Sequence, residues 1–106
     1  MTKNQTIAAE ILNQLGGHKF LAMTGAKELT AIENGLRFKI GTNNSKANRV
    51  TIQLNSMDTY DMTFQRISVN RRTFDVKVVN KAESLGLYND MIEGEFSKIT
   101  GFATRL

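Results

Sequence analysis

Asp75-Val76-Lys77 is the stretch of this chain whose residue types and spacing come nearest to a catalytic use. An acid two positions before a lysine has the form met in metal-dependent nucleases. Asp61, one strand earlier, would project from the same sheet face, so two carboxylates could hold Mg²⁺ while Lys77 orients water or stabilises developing phosphate charge. The same spacing arises by chance in a chain of this composition, and a cross-strand charge pair accounts for it equally well. An enzyme is therefore not the expectation, and no metal or cofactor site is assigned.

Other sites are excluded more firmly. His18 is the sole histidine, so neither a paired-histidine zinc site nor a familiar catalytic triad can be assembled. The glycines fall into no phosphate-loop or dinucleotide-binding spacing. Gly16-Gly17 also follows an apolar helix, whereas a phosphate loop precedes one. With no cysteine there are no disulfides, thiolate ligands or thiol nucleophiles, which agrees with a reducing, cytoplasmic setting. Met23, Met57, Met62 and Met91 are expected to fill core gaps or turns.

What remains is charge. Fourteen Lys and Arg stand against ten acids, a net charge of +4 that favours contact with polyanions. Residues 1–41 carry five cations against three acids and residues 42–72 five against two, while residues 73–106 carry four against five. Arg37, Lys39, Arg49, Arg71, Arg72 and Lys77 are the candidate contacts to phosphate.

The elements that must position these residues can be read from periodicity. Ile7, Ile11, Leu12 and Leu15 lie on one helical face, with Thr2 or Asn4 available as the cap and Gly16-Gly17 as the stop. After Lys19 the pattern changes to short runs punctuated by turn residues, beginning with Phe20-Leu21-Ala22-Met23 and Thr24-Gly25, then Leu29-Thr30-Ala31-Ile32. Asn34-Gly35 is a hairpin signal. Leu36, Phe38 and Ile40, then Val50, Ile52 and Leu54, then Tyr60, Met62 and Phe64 alternate with polar residues, as in strands with one buried face. Thr42 to Asn48 reads as an exposed loop and Ser68 to Arg72 as another, with Phe74, Val76 and Val78 as the inward side of a last strand. From Ser84 or Gly86 a helical period returns through Leu87, Met91, Ile92, Phe96 and Ile99, and Gly101 ends it. Phe102 to Leu106 would add a short strand or pack its apolar residues.

The expectation is one α+β domain over residues 1–106, an antiparallel meander of about five strands with the N- and C-terminal helices on one face. By parity the open face would carry Arg37, Lys39, Arg49, Thr51, Gln53, Asp61, Thr63, Gln65, Asp75 and Lys77, with Arg71 and Arg72 at one end. A solvated sheet face has the same composition. Read as a docking surface, it lacks an aromatic platform for unpaired bases, so the backbone of a duplex is the favoured target. No apolar run is long enough for a membrane span.

Three segments carry a resemblance: Gln14-Leu15-Gly16-Gly17-His18-Lys19-Phe20-Leu21-Ala22-Met23-Thr24-Gly25-Ala26-Lys27, Gly35-Leu36-Arg37-Phe38-Lys39-Ile40-Gly41 and Phe96-Ser97-Lys98-Ile99-Thr100-Gly101. In that order they resemble a group of small uncharacterised proteins encoded by tailed bacteriophages, prophages and related bacterial mobile elements. The resemblance implies a short accessory protein made inside a bacterial cell, and carries over no catalytic or binding residue. Two expectations follow: sequence-independent binding of nucleic-acid backbone, or a protein-interaction module that inhibits or recruits a host protein or self-associates through a sheet edge. Oligomeric state stays open.

Overall fold

A computed structural model describes residues 2–102. The order is α1 (Lys3–Leu15), α2 (His18–Thr24), β1 (Lys27–Ile32), β2 (Gly35–Lys39), β3 (Arg49–Leu54), β4 (Tyr60–Val69), β5 (Val76–Leu87) and α3 (Ile92–Thr100). The five strands form one antiparallel sheet in sequence order, β1-β2-β3-β4-β5. This is the expected α+β meander, with the terminal helices against one face. The buried side chains of helices and sheet make one core cluster.

Local chemistry explains the first helix. Thr2 Oγ1 accepts from the Gln5 N–H at 3.2 Å while Gln5 Oε1 accepts from the Thr2 N–H at 3.0 Å, a reciprocal cap that satisfies two otherwise free donors. Ile7, Ala8, Ile11 and Leu15 are the buried face. In α3 the face is Ile92, Phe96 and Thr100, and Gly101 closes the helix at φ +78°, a left-handed conformation that favours glycine, with the Asn44 side chain packed against it. Gly35 is needed for a different reason: a Cβ there would run into the Ile52 carbonyl oxygen of β3.

Phe96 is the hub of the core. Its ring meets Phe20 edge-on at 5.0 Å, lies 6.1 Å from both Phe38 and Phe64, and stacks with Phe102 at 6.3 Å. Phe20, Phe38, Phe64 and Phe96 are all fully buried. The β2, β3 and β4 alternation supplies the opposing layer through Leu36, Phe38, Val50, Ile52, Tyr60, Met62 and Phe64.

The structure assigns one run that the sequence left without an element and corrects the reading in three places. Phe20 to Met23 belongs to α2: Phe20 and Thr24, four residues apart, face inward, and Gly25 in the left-handed conformation ends the helix. Ser68 and Val69 extend β4 instead of starting a loop. Ser84 to Leu87 belongs to β5, so α3 begins only at Ile92 and Met91 is exposed. Phe74, Val76 and Val78 are 78%, 62% and 48% exposed, so they are no inward face. The helices end before they reach that part of the sheet. The tail beyond Phe102 lies outside the described residues.

Candidate nucleic-acid interface

Strand register decides which candidate residues meet. Lys27 pairs with Lys39, Lys39 with Arg49, Arg49 with Gln65 and Gln65 with Asn80, one row across all five strands on the face away from the helices. Arg37 sits two residues from Lys39 on the same face. Three of the sequence-predicted cations, Arg37, Lys39 and Arg49, are therefore brought together, and Lys27, which parity could not place, joins them.

Like charges directly opposite one another destabilise a sheet, so this row carries an electrostatic cost. Glu28 relieves part of it through an exposed ion pair, its carboxylate 2.6 Å from Lys39 Nζ. That hydrogen bond and charge, assisted by Lys27, hold the Glu28 carboxyl below its ordinary range. Arg49 Nη2 donates to Gln65 Oε1 at 3.2 Å, whereas its buried Nε has no hydrogen-bond partner among the described residues. Lys27, Lys39 and Arg49 border a cleft of about 360 Å³ that also includes Ile67 and Val69.

Past this row β4 and β5 continue as a two-stranded ribbon whose root is still held by the loop before β3: Asn48 Nδ2 donates to the Ile67 carbonyl and Asn48 Oδ1 accepts from the Ile67 N–H, both at 2.8 Å, and Arg66 Nη1 donates to the Lys46 carbonyl at 3.4 Å. Lys81 is the pivot: Phe64 pairs with Ala82 but Gln65 pairs with Asn80, so Lys81 is an extra residue that reverses the parity of β5. Lys77 pairs with Ser68 and emerges on the helix-side face of the sheet, with Arg66 and Val79, opposite to Arg37, Lys39 and Arg49. The expectation that Lys77 shares their surface is thus overturned. Val69-Val76 and Ile67-Val78 occupy the open-face positions instead, an apolar stripe on the ribbon.

Arg71 and Arg72 lie in the tip that joins the strands. Asn70 organises it: its N–H donates to the Asp75 carbonyl at 2.9 Å, its carbonyl accepts from the Phe74 N–H at 2.7 Å, and its Oδ1 accepts from the N–H groups of Arg72 and Thr73 at 2.9 and 3.3 Å. Phe74 is held at φ +62°, a left-handed conformation that costs a bulky side chain about 1–2 kcal/mol. Every residue from Ser68 to Val78 is exposed.

Charge is concentrated here. Residues 66–81 carry Arg66, Arg71, Arg72, Lys77 and Lys81 against Asp75 alone, a balance of +4 that equals the net charge of the whole chain, so the remainder is neutral. Sequence reasoning missed Arg66 and Lys81. A count over residues 66–81 alone, rather than over thirds of the chain, would have found them.

The proposed Mg²⁺ pair does not form. Asp61 lies beside the other bulge, where Oδ1 accepts from Asn55 Nδ2 at 3.1 Å and from the Gly86 N–H at 3.0 Å. Asp75 is at the ribbon tip, about 30 Å away along β4 at the ordinary rise per residue. No cluster of three or more His, Cys, Asp or Glu suited to a metal occurs among the described residues. His18 is exposed at the start of α2. No helix of the described residues is long and apolar enough to cross a membrane.

Comparison with known proteins adds no identity: no family model, no curated protein sequence and no solved structure matches this chain.

Proposed function

We propose that this chain is a small nucleic-acid-binding protein, a cytoplasmic accessory factor of the phage or mobile-element type, that engages duplex backbone through its β4–β5 ribbon and the cationic row at the ribbon's root. The observation that carries this reading is the placement of the whole net charge on a projecting, uncovered ribbon. A two-stranded ribbon fits the major groove of B-form DNA, and cations on it neutralise phosphates and release counterions. The row Lys27, Lys39 and Arg49 offers further positive charge to a phosphate at the base. Arg71, Arg72 and Lys77 enter this reading as ribbon residues, and Arg37, Lys39 and Arg49 as root residues.

Fluorescence anisotropy with a labelled duplex over a range of salt tests it. Affinity should fall linearly on a logarithmic salt scale. The double charge reversal Arg71→Glu, Arg72→Glu should weaken binding to all sequences alike and reduce the salt slope by about 2. Binding that is absent at low salt, or insensitive to salt, contradicts the proposal.

One feature favours a second reading. The stripe of Ile67, Val69, Val76 and Val78 and the outer edge of β5, unpaired among the described residues, are suited to another protein chain, either a host factor or a second copy. A partner retained from bacterial lysate after nuclease treatment, lost when Val76 and Val78 are changed to Thr, supports that reading over the first.

A further inference from the structure

The ribbon tip presents an aromatic ring to water at a backbone geometry that aromatic residues seldom adopt. Phe74 is 78% exposed, its φ is +62°, and the six-residue tip around it is held by the Asn70 hydrogen bonds and by Thr73 Oγ1, which accepts from the Asp75 N–H at 3.3 Å. Nothing in the core needs this ring, and a polar residue at the tip would be better solvated. The four ribbon pairs from Arg66-Val79 to Val69-Val76 carry the tip about 13 Å beyond the Gln65-Asn80 row, and the last two of them, with the tip itself, lie past the contact of Asn48 with Ile67. Arg71 and Arg72 precede the ring in the same turn.

From this arrangement we propose that Phe74 is a wedge that enters between adjacent base pairs of duplex DNA while Arg71 and Arg72 hold the flanking phosphates. This rests on the ribbon reading above and adds to it a contact with bases. Apolar side chains inserted at a base step partly unstack it and bend the duplex, most readily where stacking is weak. A single-strand platform needs several aromatics along a groove, whereas here one ring stands at the end of a projecting arm. Duplex rather than single strand is therefore the ligand, with pyrimidine–purine steps and mismatches favoured within it.

The test uses the full chain and a short duplex carrying 2-aminopurine at a central TA step. Binding should raise 2-aminopurine emission, and a duplex with a central mismatch should bind about ten-fold more tightly than its matched form. Phe74→Asn suits the left-handed backbone and removes the ring. It should abolish the emission rise and the mismatch preference and weaken affinity by about ten-fold, while leaving the salt slope intact. Phe74→Trp should restore both signals. Unchanged emission in Phe74→Asn, wild-type binding without an emission rise, or tighter binding to the unpaired strand than to the duplex overturns the wedge while backbone binding stands. A wild-type chain that binds no duplex at low salt overturns both.

Discussion

Strand β4 runs through two environments, and the contrast between its halves organises the molecule. Tyr60, Met62 and Phe64 point under the helices and are buried, while Asp61, Thr63 and Gln65 face outward. Beyond Gln65 the same strand still pairs with β5, yet no helix covers it: Ile67 is half-buried and Val69 is 54% exposed. Alternation marks which side chains share a face. It does not say whether anything lies over that face, and in this chain apolar residues occur both where a layer covers them and where none does.

That contrast can be broken by mutation. Phe96→Ala in the covered half should cost about 3–5 kcal/mol in chemical denaturation, because Phe96 fills the centre of the aromatic cluster. Phe74→Ala in the ribbon should change stability by no more than about 0.5 kcal/mol. Comparable losses at the two positions would mean that the ribbon folds back onto a partner surface. Next in size, Phe74→Asn should raise stability by about 1 kcal/mol, since asparagine accepts a left-handed backbone more readily.

Two smaller effects sharpen the picture by titration. Burial, and after it the carboxylates of Glu10 and Asp58, push the Tyr60 phenol above its ordinary value. A raised folded pKa favours the protonated form, so this contribution is complete below about pH 10 and is lost as pH rises through the folded value. Wild-type stability should therefore fall more steeply than that of Tyr60→Phe in alkaline unfolding measurements. The smallest effect belongs to Glu28, held low first by its hydrogen bond to Lys39. Its contribution is present above the ordinary glutamate range and disappears as pH falls through the depressed value. The pair is exposed, so the expected readout is a carboxyl titration seen by NMR that returns to the ordinary range in Lys39→Gln.

The architecture was legible because several local signals agreed. The Thr2 cap, the Ile7-Ile11-Leu15 spacing, Asn34-Gly35 at the first hairpin and the alternation through β2, β3 and early β4 all point the same way. Phe20-Leu21-Ala22-Met23 was not assigned to a helix because four consecutive apolar residues fit a helix or a strand, and only packing of Phe20 and Thr24 decides between them. The site was half legible. Arg37, Lys39 and Arg49 follow from uninterrupted alternation, whereas Lys77 lies past the bulge at Lys81, and one inserted residue moves every later side chain to the opposite face. No local sequence signal marks that bulge. Lys27 was missed for a related reason, since an irregularity between Lys27 and Thr30 separates it from the regular part of β1.

The central claim is that the uncovered ribbon, with its cationic root, is where nucleic acid docks. A titration of the isotopically labelled full chain with a short duplex, followed by amide chemical shifts, tests this most directly. Shifts concentrated in residues 66–81, with weaker ones at Lys27, Lys39 and Arg49, are the predicted result. Shifts centred on α1 and α2, or none at low salt, would contradict it.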